Sequence, residues 1–371
     1  MRLAILGTRG IPARYGGFET LAEELSARLV EARHEVTVYT RRHTAVPAVR
    51  RHRGAIVRVL PALRTKALET LSHTLVSCLD ASRRRFDVVL LCNAANAPFL
   101  PVLHAKRLPV ALNVDGIERK RRKWGALGSR YYRIGEALAA RWADVLVTDA
   151  AAMQRYYRRA WRRDSVMIPY GGDLPRPVGD AMLRGLGLEA DGYLLYVSRF
   201  EPENNPDRVA EAYRHVAGDV PLVMVGGAPY AKALAKRVRD VAARDSRIVL
   251  AGPIYGEGYR ELLFHARAYI HATEVGGTHP ALVEAMGAGR VVVFLDNLPN
   301  REVVAGAGVP FRFEATPSLA EVIGAFLARP AEFQSLAEAA RARVMDRYRW
   351  DDVAAAYERL LEGLCCRNRP A

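Results

Sequence analysis

The chain has few cysteines and no long apolar run. Its four cysteines, Cys78, Cys92, Cys365 and Cys366, have the spacing of neither metal ligands nor a disulfide framework, which is typical of proteins in a reducing cytoplasm. No apolar run approaches the ~18–20 residues of a membrane helix. The short run after Arg2 is not followed by the small-residue cleavage site that ends a signal peptide. We therefore expect a cytoplasmic protein without a membrane span.

Acidic residues are scarce in the first half. Positions 1–170 hold 31 lysines and arginines against 14 acidic residues, whereas the rest of the chain holds 24 against 26. An arginine-rich composition with solvated faces explains this asymmetry without a partner. The alternative is an anionic partner, such as a membrane surface or a nucleic acid. The densest basic run, RKRRKW at 119–124, has a tryptophan suited to lipid headgroups, but too few aromatic residues for base stacking, so we expect no nucleic-acid partner.

Short β-branched runs alternate with amphipathic segments along the chain. The alternation predicts the α/β class, with parallel sheets covered by helices on both faces. It stops once, at the Pro-, Gly- and charge-rich segment 173–192. We therefore expect two domains, 1–172 and 193–348, joined by that linker and followed by a last amphipathic segment at 349–371. Ligands of such domains bind at the carboxyl ends of the strands.

The individual elements can be predicted from the same pattern. The predicted strands are 2–6, 35–40, 56–60, 87–92, 109–113, 144–148, 165–168, 193–198, 221–226, 247–251, 268–272 and 290–294. The predicted helices are 18–32, 66–82, 130–142, 149–159, 207–217, 230–243, 258–266, 280–288, 317–327 and 331–347.

A glycine-rich loop, GTRGIPARYGG at 7–17, follows the first predicted strand. A strand, a glycine loop and a helix in this order are typical of phosphate binding at a helix N-terminus. No lysine follows in the P-loop pattern, which excludes that motif, and the G-x-G-x-x-G spacing of a dinucleotide loop is also missing. Two arginines at 41–42, after the second strand, keep an NADP-binding alternative open.

Two loops in the second half carry groups suited to a diphosphate. Arg199 directly follows a predicted strand, so it lies at a carboxyl end of the sheet. Gly277 and Thr278 precede Pro280, a residue suited to the first helical position, and their backbone amides would form an anion site at the helix N-terminus. Glu284 lies one turn into that helix, where its carboxylate could accept hydrogen bonds from ribose hydroxyls.

The chain resembles glycosyltransferase family 4, and more narrowly its rhamnosyltransferase-like branch of bacterial polysaccharide biosynthesis. Six segments carry the resemblance, in the expected order: GTRGIPARYGGFET, NVDGIERKRRKW, SRFEPENN, VGGAPY, AGPIYG and VGGTHPALVEAMGAG. It covers essentially the whole chain and implies the GT-B fold, in which two Rossmann-like domains face a cleft and the last helix crosses back onto the first domain.

The resemblance also implies an activity. The enzyme would move a hexosyl group, L-rhamnose from dTDP-L-rhamnose in this branch, from a dTDP- or UDP-linked sugar to a hydroxyl of a saccharide or lipid-diphosphate-linked acceptor, with retention of configuration. It would need no metal or other cofactor. Since the acceptors are commonly lipid-linked, a peripheral position at the inner membrane face is a second expectation for its location.

The resemblance assigns roles to individual residues. Gly16 and Gly17 would approach the donor phosphate and the acceptor, Arg199 would pair with the donor diphosphate, and Glu284 would hold the ribose as the second glutamate of the E-x7-E motif. The chain departs from the family at two positions. The first glutamate of that motif falls on Gly276, and a lysine often found five residues after the arginine falls on Asn204.

These departures change the expected donor contacts. We count Asn204 among the donor-binding residues and expect the amides of Gly277 and Thr278 to contact phosphate. His271 and His279 flank this segment, and each is either a donor contact or a buried structural histidine.

Three further residues are candidates on the acceptor side. Asp115 follows the predicted strand 109–113 and would orient or deprotonate the acceptor hydroxyl or stabilise the sugar's positive charge, unless it only forms an Asx turn or caps a helix. Glu118 is the second choice. Tyr15 would cover a sugar or simply pack. Two alternative functions remain open on the same fold: a nucleotide-sugar 2-epimerase and a non-catalytic nucleotide-sugar-binding protein.

Overall fold

The computed structural model contains two α/β units. It describes residues 1–14, 16–65, 68–114, 116–122, 124–177, 179–227 and 231–367. The first unit comprises Met1–Lys120, Trp124–Tyr170 and Trp350–Ala371, and the second comprises Arg121–Lys123 and Gly171–Arg349.

The first unit is built on an eight-stranded sheet. Its strands are β1 (Arg2–Leu6), β2 (Glu35–Arg41), β3 (Arg51–His52), β4 (Ala55–Leu60), β5 (Val88–Cys92), β6 (Val110–Asn113), β7 (Val145–Thr148) and β8 (Val166–Met167). They lie in the order β3-β4-β2-β1-β5-β6-β7-β8. All neighbours are parallel except β3 and β4.

The second unit is built on a six-stranded, all-parallel sheet. Its strands are β9 (Leu194–Val197), β10 (Leu222–Val225), β11 (Ile248–Gly252), β12 (Ala268–His271), β13 (Val291–Leu295) and β14 (Val309–Phe311). They lie in the order β11-β10-β9-β12-β13-β14. The chain first adds strands on one side of β9 and then continues on the other side with β12, so the topological switch point lies between these two strands.

The apolar runs explain why these segments are strands. In β5 all five residues are buried, and in β10 all four are. Helices cover both faces of a parallel sheet, so its strands are continuous apolar runs rather than alternating ones. The predicted α/β class is therefore confirmed.

Fourteen α-helices are present in the described residues. They are α1 (Gly17–Glu31), α2 (Glu69–Ala81), α3 (Leu100–His104), α4 (Ala126–Trp142), α5 (Ala151–Trp161), α6 (Ala181–Gly185), α7 (Pro206–Tyr213), α8 (Lys232–Ala242), α9 (Gly256–His265), α10 (Pro280–Gly287), α11 (Leu298–Val304), α12 (Leu319–Ala328), α13 (Gln334–Arg347) and α14 (Trp350–Arg367).

The last helix, α14, packs on the core of the first unit. Trp350, Tyr357 and Leu361 are fully buried there, and the Tyr357 hydroxyl accepts a hydrogen bond of 2.7 Å from Nδ2 of Asn113. Nothing in the part of the chain that the structure describes is both long and apolar enough to serve as a membrane-spanning helix.

Candidate functional site

The carboxyl edge of the second sheet brings two of the predicted phosphate-binding loops together. Strands β9 and β12 are hydrogen-bonded neighbours. Arg199 lies two residues beyond the end of β9, and Gly277 and Thr278 lie in the loop that leads from β12 to α10. The predicted cation and the predicted helix N-terminus therefore belong to adjacent strand ends at the topological switch point, where ligands of such sheets bind.

The loop that carries Arg199 is held by its own side chains. Nδ2 of Asn204 donates a hydrogen bond of 2.7 Å to the carbonyl oxygen of Arg199, and the buried Tyr196 hydroxyl donates one of 2.6 Å to the carbonyl oxygen of Asn204. Asn204 is itself buried. Its side-chain amide, predicted as a donor contact, thus fixes the backbone from which Arg199 projects.

Glycine is required where the next loop approaches this one. Gly226 follows β10 with φ +150°, and a Cβ atom there would lie 1.8 Å from the carbonyl oxygen of Ser198. Only a residue without a side chain permits this approach. The amide of Phe200 then donates to the carbonyl of Gly227 at 2.8 Å, which ties the loops after β9 and β10 together.

Asn205 links the Arg199 loop to the loop after β12. Its Nδ2 donates to the carbonyl oxygen of Ala272 at 2.9 Å and to Oε1 of Glu274 at 3.0 Å. The amide of Glu274 donates in turn to the carbonyl oxygen of Glu203 at 2.9 Å. The three loops at this edge therefore form one hydrogen-bonded platform, which is suited to a pre-organised binding site.

Two histidines lie close together beneath this platform. His271 ends β12, His279 caps α10, and their ring centroids are 4.9 Å apart. Burial lowers the pKa of His271 to about 3. Burial, together with His271 and the charges of Arg121 and Arg199, lowers the pKa of His279 well below its usual range. Both imidazoles are therefore neutral at pH 7 and supply hydrogen-bonding groups rather than charge.

Glu284 is buried on α10 and has a tyrosine partner. The Tyr259 hydroxyl of α9 donates to Oε2 of Glu284 at 2.6 Å. Burial and the neighbouring carboxylate hold the pKa of Tyr259 well above its usual range, so the phenol remains a donor. The tyrosine thus orients the carboxylate that we predict to hold a ribose.

Three arginines of the basic run at 119–124 pair with carboxylates. Arg121 is only 6% exposed and pairs with the fully buried Glu203 at 3.3 Å. Arg122 pairs with Glu274. Arg119 pairs with Glu136 at 3.3 Å. Each of these arginines faces a carboxylate, because the fold brings acids that are distant in the sequence close to the run.

The glycine loop of the first unit is anchored by the start of α1. Gly16 is the N-cap, and its carbonyl oxygen accepts from the amides of Glu19 and Thr20, both at 3.1 Å. Gly17 is the first helical residue. Oε1 of Glu19 reaches back to the amide of Arg9 at 2.7 Å, so the helix fixes the loop after β1.

A buried ionic cluster lies at the carboxyl ends of β1 and β2. Glu69, the first residue of α2, contacts Arg41 at 2.9 Å, His43 at 2.7 Å and Arg9 at 3.4 Å. Burial would raise the pKa of Glu69, but Arg41 and Arg9 lower it to about 2. Burial and Arg41 lower the pKa of His73 to about 4. The carboxylate thus holds the guanidinium groups of Arg41 and Arg9 at the carboxyl edge of this sheet.

The remaining acceptor-side candidates belong to the first unit. Tyr15 and Asp115 lie outside the described residues. Glu118 begins the short 3-10 helix Glu118–Lys120, and Nε1 of Trp124 donates to its Oε2 at 3.5 Å.

One group of side chains in the described residues has the proximity of metal ligands. Ligand atoms of His34, Glu358 and Glu362 lie within 4.8 Å of one another. His34 directly precedes β2, so the group lies at the amino edge of the first sheet, opposite the edge that carries the glycine loop. It is not part of the candidate site.

Several site residues are not evident from the sequence. Tyr259 and Glu69 lie far along the chain from the groups that they hold, and no motif marks them. Asn205 is different, because it is the last residue of the SRFEPENN segment and precedes Pro206. Asparagine tolerates the left-handed backbone (φ +56°) that this position adopts between the short 3-10 helix Pro202–Asn204 and helix α7.

Two protein families match successive parts of the chain. The glycosyl transferase 4-like domain matches residues 16–171, and the glycosyl transferases group 1 family matches residues 184–343. Together the two matches span most of the chain. No curated protein sequence matches it.

Solved structures share the architecture over nearly the full length. Sucrose-phosphate synthase from Thermosynechococcus elongatus has a TM-score of 0.82 at 18% identity, with 99% of each chain covered. HepE from Anabaena, in complex with UDP-glucose, has a TM-score of 0.79 at 16% identity, covering 98% of this chain and 100% of that one. TarM from S. aureus has a TM-score of 0.75 at 9% identity, covering 97% and 99%. The two family matches, on two parallel-sheet units, identify the chain as a glycosyltransferase with a glycosyl transferase 4-like first part and a group 1 second part, and its fold is the GT-B fold of these structures.

Proposed function

We propose that this glycosyltransferase binds a nucleotide-sugar donor at the carboxyl edge of the second sheet and transfers L-rhamnose from dTDP-L-rhamnose, with retention of configuration. The acceptor would be a hydroxyl of a saccharide or of a lipid-diphosphate-linked sugar. One observation carries the proposal: Arg199 and the N-terminus of α10 lie at the ends of the adjacent strands β9 and β12.

The similar structures support the kind of substrate. HepE is known in complex with UDP-glucose, and TarM with UDP, α-GlcNAc-glycerol and Fondaparinux. A shared fold favours a nucleotide-sugar donor and a saccharide acceptor here as well. The choice of dTDP-L-rhamnose rests on the resemblance of the six sequence segments to the rhamnosyltransferase-like branch.

The proposed mechanism centres on the leaving diphosphate. Negative charge grows on it as the bond to the anomeric carbon breaks, and fixed donors aimed at that charge are often the largest catalytic contribution. Arg199 would supply a cation, and the amides of Gly277 and Thr278 would supply dipoles. Because the Arg199 loop is fixed by Asn204 and Tyr196, these groups need little reorganisation during the reaction. We propose that no metal takes part, since the guanidinium supplies the charge that a metal would.

The nucleoside and the sugar would contact other groups of the same edge. Glu284, oriented by Tyr259, would accept a hydrogen bond from the ribose. The neutral His279 stands next to Gly276, the position of the missing glutamate, and would offer the donor sugar an uncharged partner. In the first unit, Asp115 with Glu118 as second choice would orient the acceptor, and Tyr15 would approach it. Gly16 and Gly17 would approach both the donor phosphate and the acceptor. We place the enzyme in the cytoplasm, at the inner face of the membrane when its acceptor is lipid-linked.

The test measures activity with a panel of donors and acceptors in wild type and in two arginine variants, one at the proposed site and one control. Wild type, Arg199→Ala and Arg239→Ala are assayed for release of nucleoside diphosphate from dTDP-L-rhamnose and UDP-glucose, with and without a saccharide acceptor. Arg239 is exposed on α8 and controls for the loss of one positive charge. We expect dTDP-L-rhamnose to be the better donor, turnover to fall about a hundredfold or more in Arg199→Ala, and Arg239→Ala to behave like wild type.

Each other outcome has a distinct meaning. Preference for UDP-glucose would overturn the rhamnosyl assignment but not the transferase. Acceptor-independent formation of an epimerised sugar nucleotide would favour a 2-epimerase. Normal turnover in a folded Arg199→Ala protein would remove this residue from the mechanism.

A further inference from the structure

We propose that the first unit docks on an anionic lipid bilayer through the exposed face of helix α4. Three large apolar side chains of this helix project into solvent: Leu127 is 86% exposed, Ile134 51% and Trp142 38%. The role of this surface in sugar transfer rests on the proposed lipid-linked acceptor, but the binding of the protein to lipid does not. A surface helix normally presents polar residues outward, so an outward apolar row requires its own explanation.

The exposed row is separate from the face that α4 buries. At 100° per residue, Leu127 and Ile134 project within about 20° of each other. The buried residues of the helix, which include Tyr132, Glu136 and Ala139, project toward the opposite side. The helix therefore has one apolar face for the core and a second one for the outside.

Arginines flank the apolar row, and no acidic residue interrupts it. Arg130, Arg133 and Arg141 are all exposed on α4. The single carboxylate of the helix, Glu136, is 2% exposed and accepts hydrogen bonds from Arg119 and Tyr156. We define the α4 face as Leu127, Arg130, Arg133, Ile134, Arg141 and Trp142. Apolar side chains beside arginines, with a tryptophan at one end, are the composition of an interfacial membrane helix.

The neighbouring helix extends the positive charge. Helix α5 packs beside α4 and exposes Arg155, Arg158 and Arg159, and its sequence AAMQRYYRRAW contains no acidic residue. Arg158 pairs with Asp164 at 2.8 Å. The combined charge is complementary to an anionic leaflet.

The choice of a lipid surface over an acidic protein rests on how these groups are spread. The apolar side chains stand along the helix rather than in a groove, which suits insertion between headgroups better than a shaped protein contact. The charge excess of the first half, 31 basic against 14 acidic residues, also lies in the unit that carries this face. In contrast, the run at 119–124 is engaged by Glu136, Glu203 and Glu274.

The test is cosedimentation of the full chain with vesicles of phosphatidylcholine alone or mixed with phosphatidylglycerol, without any sugar nucleotide. Three variants separate the contributions. The first replaces the α4 arginines (Arg130→Gln, Arg133→Gln, Arg141→Gln). The second replaces the apolar pair (Leu127→Ser, Ile134→Ser). The third makes the same charge change on exposed arginines of the second unit (Arg239→Gln, Arg244→Gln, Arg341→Gln).

We expect wild type to bind the anionic vesicles at low salt and to be released as salt rises. The α4 arginine variant and the apolar variant should each lose affinity by about tenfold or more, and the control variant by much less. Thermal unfolding of each variant checks that it is folded, and quenching of Trp142 by brominated phosphatidylglycerol, lost in Trp142→Phe, locates the contact independently.

The proposal is overturned if wild type ignores anionic vesicles at low salt, or if the control variant loses as much affinity as the α4 variant. Self-association that is abolished by Leu127→Ser and Ile134→Ser, with no vesicle binding, would show that a second protein copy covers the face instead. A wrong donor assignment leaves the vesicle result unchanged, and failure of vesicle binding leaves transfer to a soluble saccharide acceptor unaffected.

Discussion

At the scale of single residues, Gly276 explains how the site departs from its family pattern. Its φ is +153°, and a Cβ atom there would lie 2.3 Å from Cε1 of His279. A glutamate therefore does not fit at this position while the histidine ring keeps its place. The absence of the first glutamate of the motif therefore goes together with the position of the His279 ring, which occupies the space that a side chain at 276 would need.

The first prediction concerns Gly276→Ala. Because the new methyl group meets the imidazole and the backbone is disfavoured for L residues, we expect the free energy of unfolding to fall by about 1–3 kcal/mol. Urea denaturation measures it. The matched control is Gly324→Ala on α12, where a Cβ atom meets nothing within 4 Å. That change should raise stability by about 0.5–1 kcal/mol. Equal stability of Gly276→Ala and wild type would contradict the steric argument.

The second prediction concerns the pH dependence set by His73 and Glu69. The pKa of His73 is lowered from 6.5 to about 4, so between these values the unfolded chain binds a proton that the folded chain does not. The pKa of Glu69 is lowered from 4.5 to about 2, which extends the same effect to more acidic pH. The free energy of unfolding should therefore decrease as the pH is lowered below about 6.5. Each group contributes up to about 1.4 kcal/mol per pH unit.

Denaturant unfolding across this pH range, in wild type and in His73→Phe, measures the effect. The variant removes the titrating group from a fully buried position, so its absolute stability can change. The informative quantity is the slope between about pH 6.5 and pH 4.5, which should be shallower in the variant. An unchanged slope would mean that His73 does not titrate as its surroundings indicate.

At the scale of elements, the strands were the most predictable part of the fold. All twelve predicted strands are present, with ends shifted by at most one residue. Most of them are buried parallel strands, which give continuous apolar runs in the sequence. The sequence pattern missed two strands: β3, which has only two residues, and β14, where Pro310 suggests a break although an edge strand tolerates it. It also missed α11, since Pro299 stands inside it. The side chain of Asn297 caps that helix by accepting from the amide of Asn300.

The site was predictable only in part. Arg199 and the segment 277–278 were placed at strand ends, because strand–loop–helix order fixes which edge a loop reaches. The hydrogen bonds that shape these loops were not predictable. Tyr259 on α9 holds Glu284 on α10, a pair that depends on how two helices pack. Asn204 holds the Arg199 carbonyl through the conformation of their shared loop, which the residue types alone do not specify.

The third prediction concerns α14. Leu361 is fully buried in the core of the first unit, so Leu361→Ala should lower the free energy of unfolding of that unit by about 2–5 kcal/mol. Arg359→Ala, an exposed position on the same helix, is the control and should change little. Hydrogen exchange should quicken in β1 and β5 but not in β9 and β12. Equal quickening in both sheets would contradict the assignment of α14 to the first unit.

At the scale of the whole molecule, charge and chemistry are divided between the two units. The first half carries 31 basic against 14 acidic residues, and the remainder 24 against 26. In our proposals the basic part meets the membrane and the acceptor. The nearly neutral part would bind the donor, with Arg199 and the amides of Gly277 and Thr278 at the diphosphate and the neutral His279 at the sugar. The positive net charge of +15 therefore comes from the half of the chain that our proposals assign to the acceptor.

The last prediction follows from this division. A nucleotide bound at the ends of β9 and β12 stabilises the native state of the second unit. dTDP at about 100 times its dissociation constant should therefore add about 2.7 kcal/mol to the free energy of unfolding of that unit. Hydrogen exchange with and without dTDP measures this by segment, and we expect slower exchange around 194–205 and 268–287. Glu284→Gln should weaken the effect, because it removes the carboxylate that Tyr259 orients and that we assign to the ribose. Since a deoxyribose offers one hydroxyl fewer than a ribose, the variant should lose less affinity for dTDP than for UDP. Protection confined to β1 and α1 would move the nucleotide to the first unit, and unchanged affinity of Glu284→Gln for both nucleotides would remove this glutamate from the ribose site.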